Sequence, residues 1–424
     1  MRTVTEVKEE ILKLYEHQKA IIGENKNKFG LFLGTGSCKT ATALHLAEGT
    51  ILVVTPKINK EEENFKREAN KWGISKDITS YSKEQFKKFA ESLGQFDTVI
   101  LDEVHTLAGV TPSLKYVKKQ PVPKTSQLYE SLITYLNRCP PKRLYVLSAT
   151  PTRSPMCVWG ISQILGHKWN FYQFRDMFYI RKTKGWREFY LVKGDKEAKE
   201  KLGKLVRTLG YTGQLSDYFD VPEQSYRDIL VEQTTEQKER LKSIKTEFPD
   251  PLVLIGKRHQ IENGVLTGDQ FSKPEIIKDS KIEKILELAE EFPKMVVFAK
   301  YTMQIEKIQK ALSEAGYFTW TLTGATKDRA GVIKQANELD GILIVQSQIS
   351  AGFELPSFPV MVFASMSYSV VDRIQAEGRI LRANAMKKNL YITLITKGGI
   401  DQVVAKSINN KVDFSEYIYA EKGI

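Results

Sequence analysis

The stretch Leu31-Phe32-Leu33-Gly34-Thr35-Gly36-Ser37-Cys38-Lys39-Thr40-Ala41-Thr42 runs from an apolar strand end, through a loop of small residues, into a helix opened by Lys39-Thr40. Such a loop turns successive backbone N–H groups toward an anion at a helix N-terminus, where the helix dipole also favours negative charge. In that geometry Gly34, Thr35, Gly36, Ser37 and Cys38 wrap phosphates, Lys39 reaches the β- and γ-phosphates, and the Thr40 hydroxyl holds magnesium. The pattern G-x-x-x-x-G-K-[ST] is departed from twice, because Leu33 and Cys38 stand where it has glycine. Taken alone, the segment is also compatible with a turn carrying an incidental lysine. Cysteine is compact enough to fit position 38; tolerated drift is favoured there over a redox role, although a thiolate beside Lys39 would be oxidation-prone.

Outward from the loop, residues 97–101 form a second apolar run that leads into Asp102-Glu103-Val104-His105. Two adjacent carboxylates at the end of a buried strand suit a nucleotide site: the first holds magnesium through water and the second orients and deprotonates the attacking water. An isolated Asp-Glu pair is more often a solvated helix cap, but this one follows a phosphate loop. Further short β-branched runs at 51–55 and 143–148 complete a first block, and runs at 295–299, 341–346, 360–364 and 390–395 make a second. Continuous apolar strands alternating with helices imply parallel sheets covered on both faces. The expected fold is therefore α/β, with one such domain over 1–153 and another over 274–424. Between them, 154–273 is expected to be a mostly helical insertion and linker. Helices are expected over 196–209 and over 235–248, the latter ending before Pro249 and Pro251.

The chain has 424 residues, 42% of them hydrophobic, which excludes a disordered or fibrous protein. Lysine plus arginine exceed aspartate plus glutamate by 63 to 51, a net charge of +12 that attracts polyanions without naming one. Cys38, Cys139 and Cys157 make neither a metal-ligand pattern nor a disulfide framework, which fits a reducing cytoplasm. No signal peptide is evident at the N-terminus, and no run reaches the about 18 apolar residues of a membrane span. The expectation is a cytoplasmic protein with no membrane partner.

The order of phosphate loop, Asp102-Glu103-Val104-His105 and Ser148-Ala149-Thr150-Pro151 resembles that of superfamily 2 DExH helicases and translocases. Gln375-Ala376-Glu377-Gly378-Arg379-Ile380-Leu381-Arg382 is similar to the family's Q-x-x-G-R-x-x-R motif. Tyr15-Glu16-His17-Gln18, Phe298-Ala299-Lys300-Tyr301, Thr323-Gly324-Ala325-Thr326 and Ile400-Asp401 fall where the Swi/Snf-like branch has comparable segments. The resemblance implies two RecA-like domains and hydrolysis of ATP with Mg2+ at a cleft between them. It implies that Gln18 hydrogen-bonds the adenine edge, that Lys39, Asp102, Glu103, Arg379 and Arg382 are catalytic, and that the arginines neutralise charge on the γ-phosphate. His105, Ser148, Ala149, Thr150, Gly352 and Gln375 would couple the ATP site to motion, although around Ser350-Ala351-Gly352 the match is confined to those three residues. The compact size resembles bacteriophage or bacterial members that unwind or branch-migrate forked DNA.

For the family, strands lie across the tops of both domains and are held mainly through phosphates. Lys57, Lys118 and Lys119 in the first block, and Lys300, Thr323 and Lys327 in the second, are the expected contacts. The segment 168–193 interleaves aromatics with basic residues; Trp186 and Arg187 would grip a strand junction if these aromatics stack on bases, and the competing reading is that they pack a core. The expected partner is DNA, single-stranded, duplex or forked, with RNA less favoured and the protein a monomer. Duplex translocation without strand separation fits the same motifs. A nuclease is discounted because Pro249-Asp250 is followed by Leu254-Ile255-Gly256-Lys257, without the second carboxylate of a P-D…E-x-K set. A non-catalytic nucleic-acid binder, suggested by Leu33 and Cys38, is disfavoured because the charged groups of the site are all present.

Overall fold

The structure is a computed structural model and describes residues 13–184, 187–268, 273–349, 353–381 and 388–410. The chain divides into two compact units, 1–219 and 220–424. Each is built on a parallel sheet of six strands covered by helices, the α/β architecture of a RecA-like domain.

In the first unit the strands are β1 (Lys28–Leu33), β2 (Ile51–Thr55), β3 (Ile78–Ser82) and β4 (Thr98–Leu101). After β4 come the hairpin strands β5 (Val110–Val117) and β6 (Gln120–Thr125), then β7 (Arg143–Leu147). A second hairpin, β8 (Tyr179–Lys184) with β9 (Arg187–Val192), precedes β10 (Gly210–Gly213). The sheet order is β10-β1-β7-β4-β2-β3, and every neighbouring pair is parallel. β2, β4 and β7 are buried at every position, as strands covered on both faces must be.

The second unit has β11 (Gln224–Val231), a short antiparallel pair β12 (Val265–Leu266) and β13 (Glu275–Ile276), and β14 (Met295–Ala299). It continues with β15 (Thr319–Leu322), β16 (Ile342–Gln346), β17 (Val360–Phe363) and β18 (Asn389–Thr396). These give a parallel sheet of order β11-β18-β17-β14-β16-β15.

The span 154–273 is rich in helix, including Lys196–Leu209 and Thr235–Glu247 where helices are expected. It also contributes β10 to the first sheet and β11 to the second. Within 168–193 part of the aromatic set packs as core: Phe171, Phe174, Phe178 and Tyr179 are buried, and Trp169 stacks on Phe174 with centroids 5.7 Å apart, while Tyr172 is exposed. For these aromatics the packing reading, one of the two left open, is the one that holds, because spacings of three and four put Phe171, Phe174 and Phe178 on one face of the helix Phe171–Phe178. Trp186 lies outside the described residues, as does the side chain of Arg187.

The second unit closes around a buried ionic cluster. Lys281 Nζ donates to Asp401 Oδ2 at 2.6 Å, Asn263 Oδ1 at 2.7 Å and the Ala364 carbonyl at 2.7 Å, while His259 Nε2 lies 3.1 Å from Asp401 Oδ1. Both Glu262 carboxylate oxygens accept backbone N–H groups at the start of the helix Ile400–Asn409, from Ile400 and Asp401. Burial opposes ionisation of Asp401, but Lys281 and His259 outweigh it and hold the carboxyl far below its ordinary range. The helix Pro251–Glu262, which supplies His259 and Glu262, is thereby pinned to the unit. Removing one partner of a buried ion pair strands the other charge, so Asp401→Ala is expected to destabilise the second unit by about 3–5 kcal/mol. Hydrogen exchange of the β14 and β17 amides checks this, with faster exchange at both strands expected.

Candidate functional site

β1, β7 and β4 are adjacent and parallel, so the segments that leave their C-terminal ends emerge side by side along one sheet edge. Those segments are the loop 34–40, the turn 102–105 and residues 148–150. The first three parts of the sequence-derived site are therefore brought together by strand order alone.

The loop leads into the helix Lys39–Leu46. Leu33 is a fully buried strand residue, so the first missing glycine is replaced by a core side chain. Cys38 caps the helix with φ 56° and ψ 31°, the left-handed conformation that glycine adopts without strain. A glycine at 38 is thus a backbone requirement that cysteine meets at a cost. Gly34 is needed for a close approach: a Cβ there would lie 3.0 Å from the Leu215 nitrogen. The Lys39 ammonium folds back over the loop and donates to the carbonyls of Leu33 at 2.8 Å and Gly34 at 3.0 Å. Ser37 Oγ is buried without a hydrogen-bond partner.

Asp102 is held by Thr55 Oγ1 at 2.7 Å and Asn59 Nδ2 at 3.0 Å on one oxygen, and by the Glu103 N–H at 3.0 Å on the other. Glu103 has φ 47°, a second left-handed non-glycine residue in the site. His105 Nδ1 lies 3.3 Å from Glu103 Oε2 and 2.9 Å from Ser148 Oγ, which in turn accepts the Thr150 N–H at 3.0 Å. A chain of polar contacts therefore runs from the carboxylate pair to the β7 loop. The pair is polarised. Burial, then the charge of Glu103, pushes the Asp102 carboxyl up; burial also opposes ionisation of Glu103, but the hydrogen bond and charge of His105, with Lys39 and Lys83, bring it below its ordinary value.

Lys83 is a member of this site that the sequence motifs do not contain. It opens the helix Lys83–Phe89 directly after β3, and burial lowers its ammonium's pKa against the opposing pull of Asp102 and Glu103. Its only sequence signal is its place immediately after a strand. Tyr218 and Phe219 are likewise absent from the motifs, and they pack on Tyr15 and His17 of the segment that holds Gln18. His17 stacks on Tyr218 at 4.2 Å, Tyr15 meets Phe219 edge-on at 4.7 Å, and His17 Nε2 lies 3.2 Å from the Ser37 carbonyl. Gln18 is fully buried beneath them, its carboxamide accepting the Tyr15 N–H at 3.0 Å and donating to Thr42 Oγ1 at 3.3 Å.

In the second unit Gln375 and Arg379 lie buried in the helix Val370–Ile380, and Arg379 Nη1 donates to the Phe353 carbonyl at 2.9 Å. Gly352 and Arg382 lie outside the described residues. Lys300 is half-buried with Nζ 3.3 Å from the Tyr368 ring centroid, and burial lowers its pKa to about 8. Thr323 caps the turn after β15, its N–H donating to Thr326 Oγ1 at 2.9 Å, and Lys327 is exposed. In the first unit Lys57 is exposed beside Glu61. Lys118 and Lys119 occupy a hairpin turn, because residues 110–125 form β5 and β6.

Comparison with known proteins bears mainly on the second unit. Residues 278–384 match the family model described as "Helicase conserved C-terminal domain". No curated protein matches the chain. Among solved structures, the Sulfolobus solfataricus SWI2/SNF2 ATPase core in complex with dsDNA is similar at 15% identity and TM-score 0.39, over 94% of this chain and 91% of that one. No helix among the described residues is long and apolar enough to cross a membrane.

Left-handed residues with a Cβ cost about 1–2 kcal/mol, and β-branched ones more. Cys38→Val is therefore expected to lower the stability of the first unit below that of the parent protein, whereas Cys38→Gly, which removes a backbone cost of about 1–2 kcal/mol, is neutral or stabilising. Denaturant melts of the two variants measure the difference.

Proposed function

We propose that this protein is an ATP-driven motor on nucleic acid, a DNA helicase or translocase of the Swi/Snf-like kind that uses ATP hydrolysis to move along DNA and to unwind or branch-migrate forks. The observation that carries the reading is the convergence of the loop 34–40, the Asp102–Glu103 pair and Ser148 on one sheet edge, linked through His105. It stands in a chain whose residues 278–384 match a helicase C-terminal domain.

Several features fit a nucleotide. Lys39 spans the loop by binding carbonyls, a position from which its ammonium can turn to phosphate oxygens, and the buried Ser37 hydroxyl lacks a partner of its own. Among the described residues no group of three or more His, Cys, Asp or Glu side chains could hold a metal ion. A magnesium ion would be held by Thr40 and, through water, Asp102, where it would neutralise phosphate charge. Glu103, kept ionised beside Lys39 and Lys83, orients and deprotonates the attacking water. His105 and Ser148 carry the state of the carboxylate to the β7 loop. Gln18, beneath the His17 and Tyr218 rings, is the proposed adenine reader, and it would have to exchange one of its internal hydrogen bonds for the base. Arg379 and Arg382 are proposed to stabilise charge on the γ-phosphate, with Gln375 and Gly352 coupling nucleotide state to grip. Lys57, Lys118, Lys119, Thr323 and Lys327 are the proposed phosphate contacts; Lys300, packed on Tyr368, is the one most constrained.

Glu103→Gln keeps the shape but removes the base, and turnover is expected to fall at least about a hundredfold with ATP still bound. Lys39→Ala is expected to weaken ATP binding itself. Equilibrium binding of a fluorescent ATP analogue together with steady-state hydrolysis separates the two; near-normal turnover by Glu103→Gln would contradict the assignment. Arg379→Ala is expected to suppress hydrolysis while nucleic-acid affinity stays within about threefold, as read by parallel filter-binding and ATPase assays.

A further inference from the structure

We propose that the β5–β6 hairpin is a strand-separating wedge whose tip, Tyr116 to Lys119, meets the base pair at a single-strand–duplex junction. The inference rests on the nucleic-acid motor reading and adds to it the element that acts on the duplex.

The hairpin is anchored where a wedge must be. It starts at Val110, a few residues after Glu103, and the turn between them is tied down by Thr106 Oγ1 donating to the Glu103 carbonyl at 2.7 Å. At its base Val110 is buried, the Ser126 N–H bonds the Gly109 carbonyl at 2.7 Å, and the helix Pro155–Ile164 packs so closely that a Cβ on Gly160 would lie 3.1 Å from Val110 Cγ2. Farther out, Leu114 packs against the core and Tyr172 Oη donates to the Pro121 carbonyl at 3.4 Å. The carboxylate turn and the base of the hairpin are thus joined through packed and hydrogen-bonded residues, the ladder shifting register between Val110 and Leu114 before it runs regularly to the tip.

The ribbon is built against pairing with other strands. Pro112, Pro121 and Pro123 remove backbone donors, so neither edge invites another strand. Its tip is built for a ligand. Tyr116, opposite Pro121, is 75% exposed and Val117 is 48% exposed, an apolar pair in water at the end of the hairpin. Lys118 and Lys119 follow with φ 49° and 65°. Two-residue turns with both residues left-handed favour Asn-Gly, and lysine is strained there. The strain and the exposed ring both work against folding stability, and both suit a junction: the ring stacks on a base, and the ammonium groups take the phosphates on either side.

The test uses the full chain and a forked DNA duplex, measuring strands separated per ATP hydrolysed. Tyr116→Ala is expected to lower that ratio at least about tenfold, since one base stack is lost, and Tyr116→Trp to retain it. Lys118→Asn with Lys119→Gly relaxes the turn, so a purely structural hairpin predicts a higher melting temperature and an unaltered ratio. The wedge predicts a higher melting temperature and a ratio reduced by several-fold. An unchanged ratio in both the Tyr116→Ala and Asn-Gly variants overturns the proposal, as does a parent protein whose ATPase responds to DNA without separating the fork. Absence of any nucleic-acid stimulation in the parent protein would instead remove the motor reading on which the wedge rests.

Discussion

The parallel hydrogen bonding of β1, β7 and β4 is the constraint from which the site follows. Because all three strands point the same way and lie next to one another, the loop 34–40, the carboxylate turn and the 148–150 segment leave the sheet along one edge. Apolar burial enforces that order: the central strands bury their residues on both faces, so a strand cannot be displaced without exposing its whole hydrophobic content. A motif scattered over more than a hundred residues of sequence thus becomes a local object. Even its strained points are fixed by this, since Cys38 and Glu103, both left-handed, sit where the chain must turn sharply from strand into helix or turn.

Charge is arranged on that edge with opposite tendencies in neighbouring groups. Asp102 is buried among donors and pushed toward its neutral form, whereas Glu103 is kept ionised by His105 and two lysines. A bound cation would reverse the bias on Asp102, because it supplies the positive charge that the hydrogen-bond donors only partly replace. The second unit uses buried charge differently. Its Lys281–Asp401–His259 cluster is satisfied internally and locks a helix in place, while Lys300 beside it pays for burial through a lowered pKa and contact with an aromatic face.

Much of this was legible in the sequence, for identifiable reasons. Continuous apolar runs give away strands buried on both faces, so β2, β4, β7, β14, β16 and β17 fall within a residue or two of expectation. β10 and β11 escaped notice because they are edge strands, one of them Gly-Tyr-Thr-Gly and the other mostly exposed, and an edge strand need not be apolar. The aromatic segment 168–193 left base stacking and core packing open by composition, although the spacing of Phe171, Phe174 and Phe178 carried the signal for packing. Prolines 112, 121 and 123 concealed the β5–β6 hairpin, since proline argues against a strand except at edges. Lys83 and the His17–Tyr218 stack were invisible because they depend on which strands are neighbours and on a contact spanning about two hundred residues of sequence.

The central claim is that ATP hydrolysis at this edge is coupled to nucleic acid. The most direct measurement is the steady-state ATPase rate with no nucleic acid, single-stranded DNA, duplex, forked DNA, a four-way junction and RNA, at constant salt. The account predicts a low basal rate raised at least about tenfold by DNA, with forked DNA the strongest activator. A rate that is the same with and without every nucleic acid would contradict it.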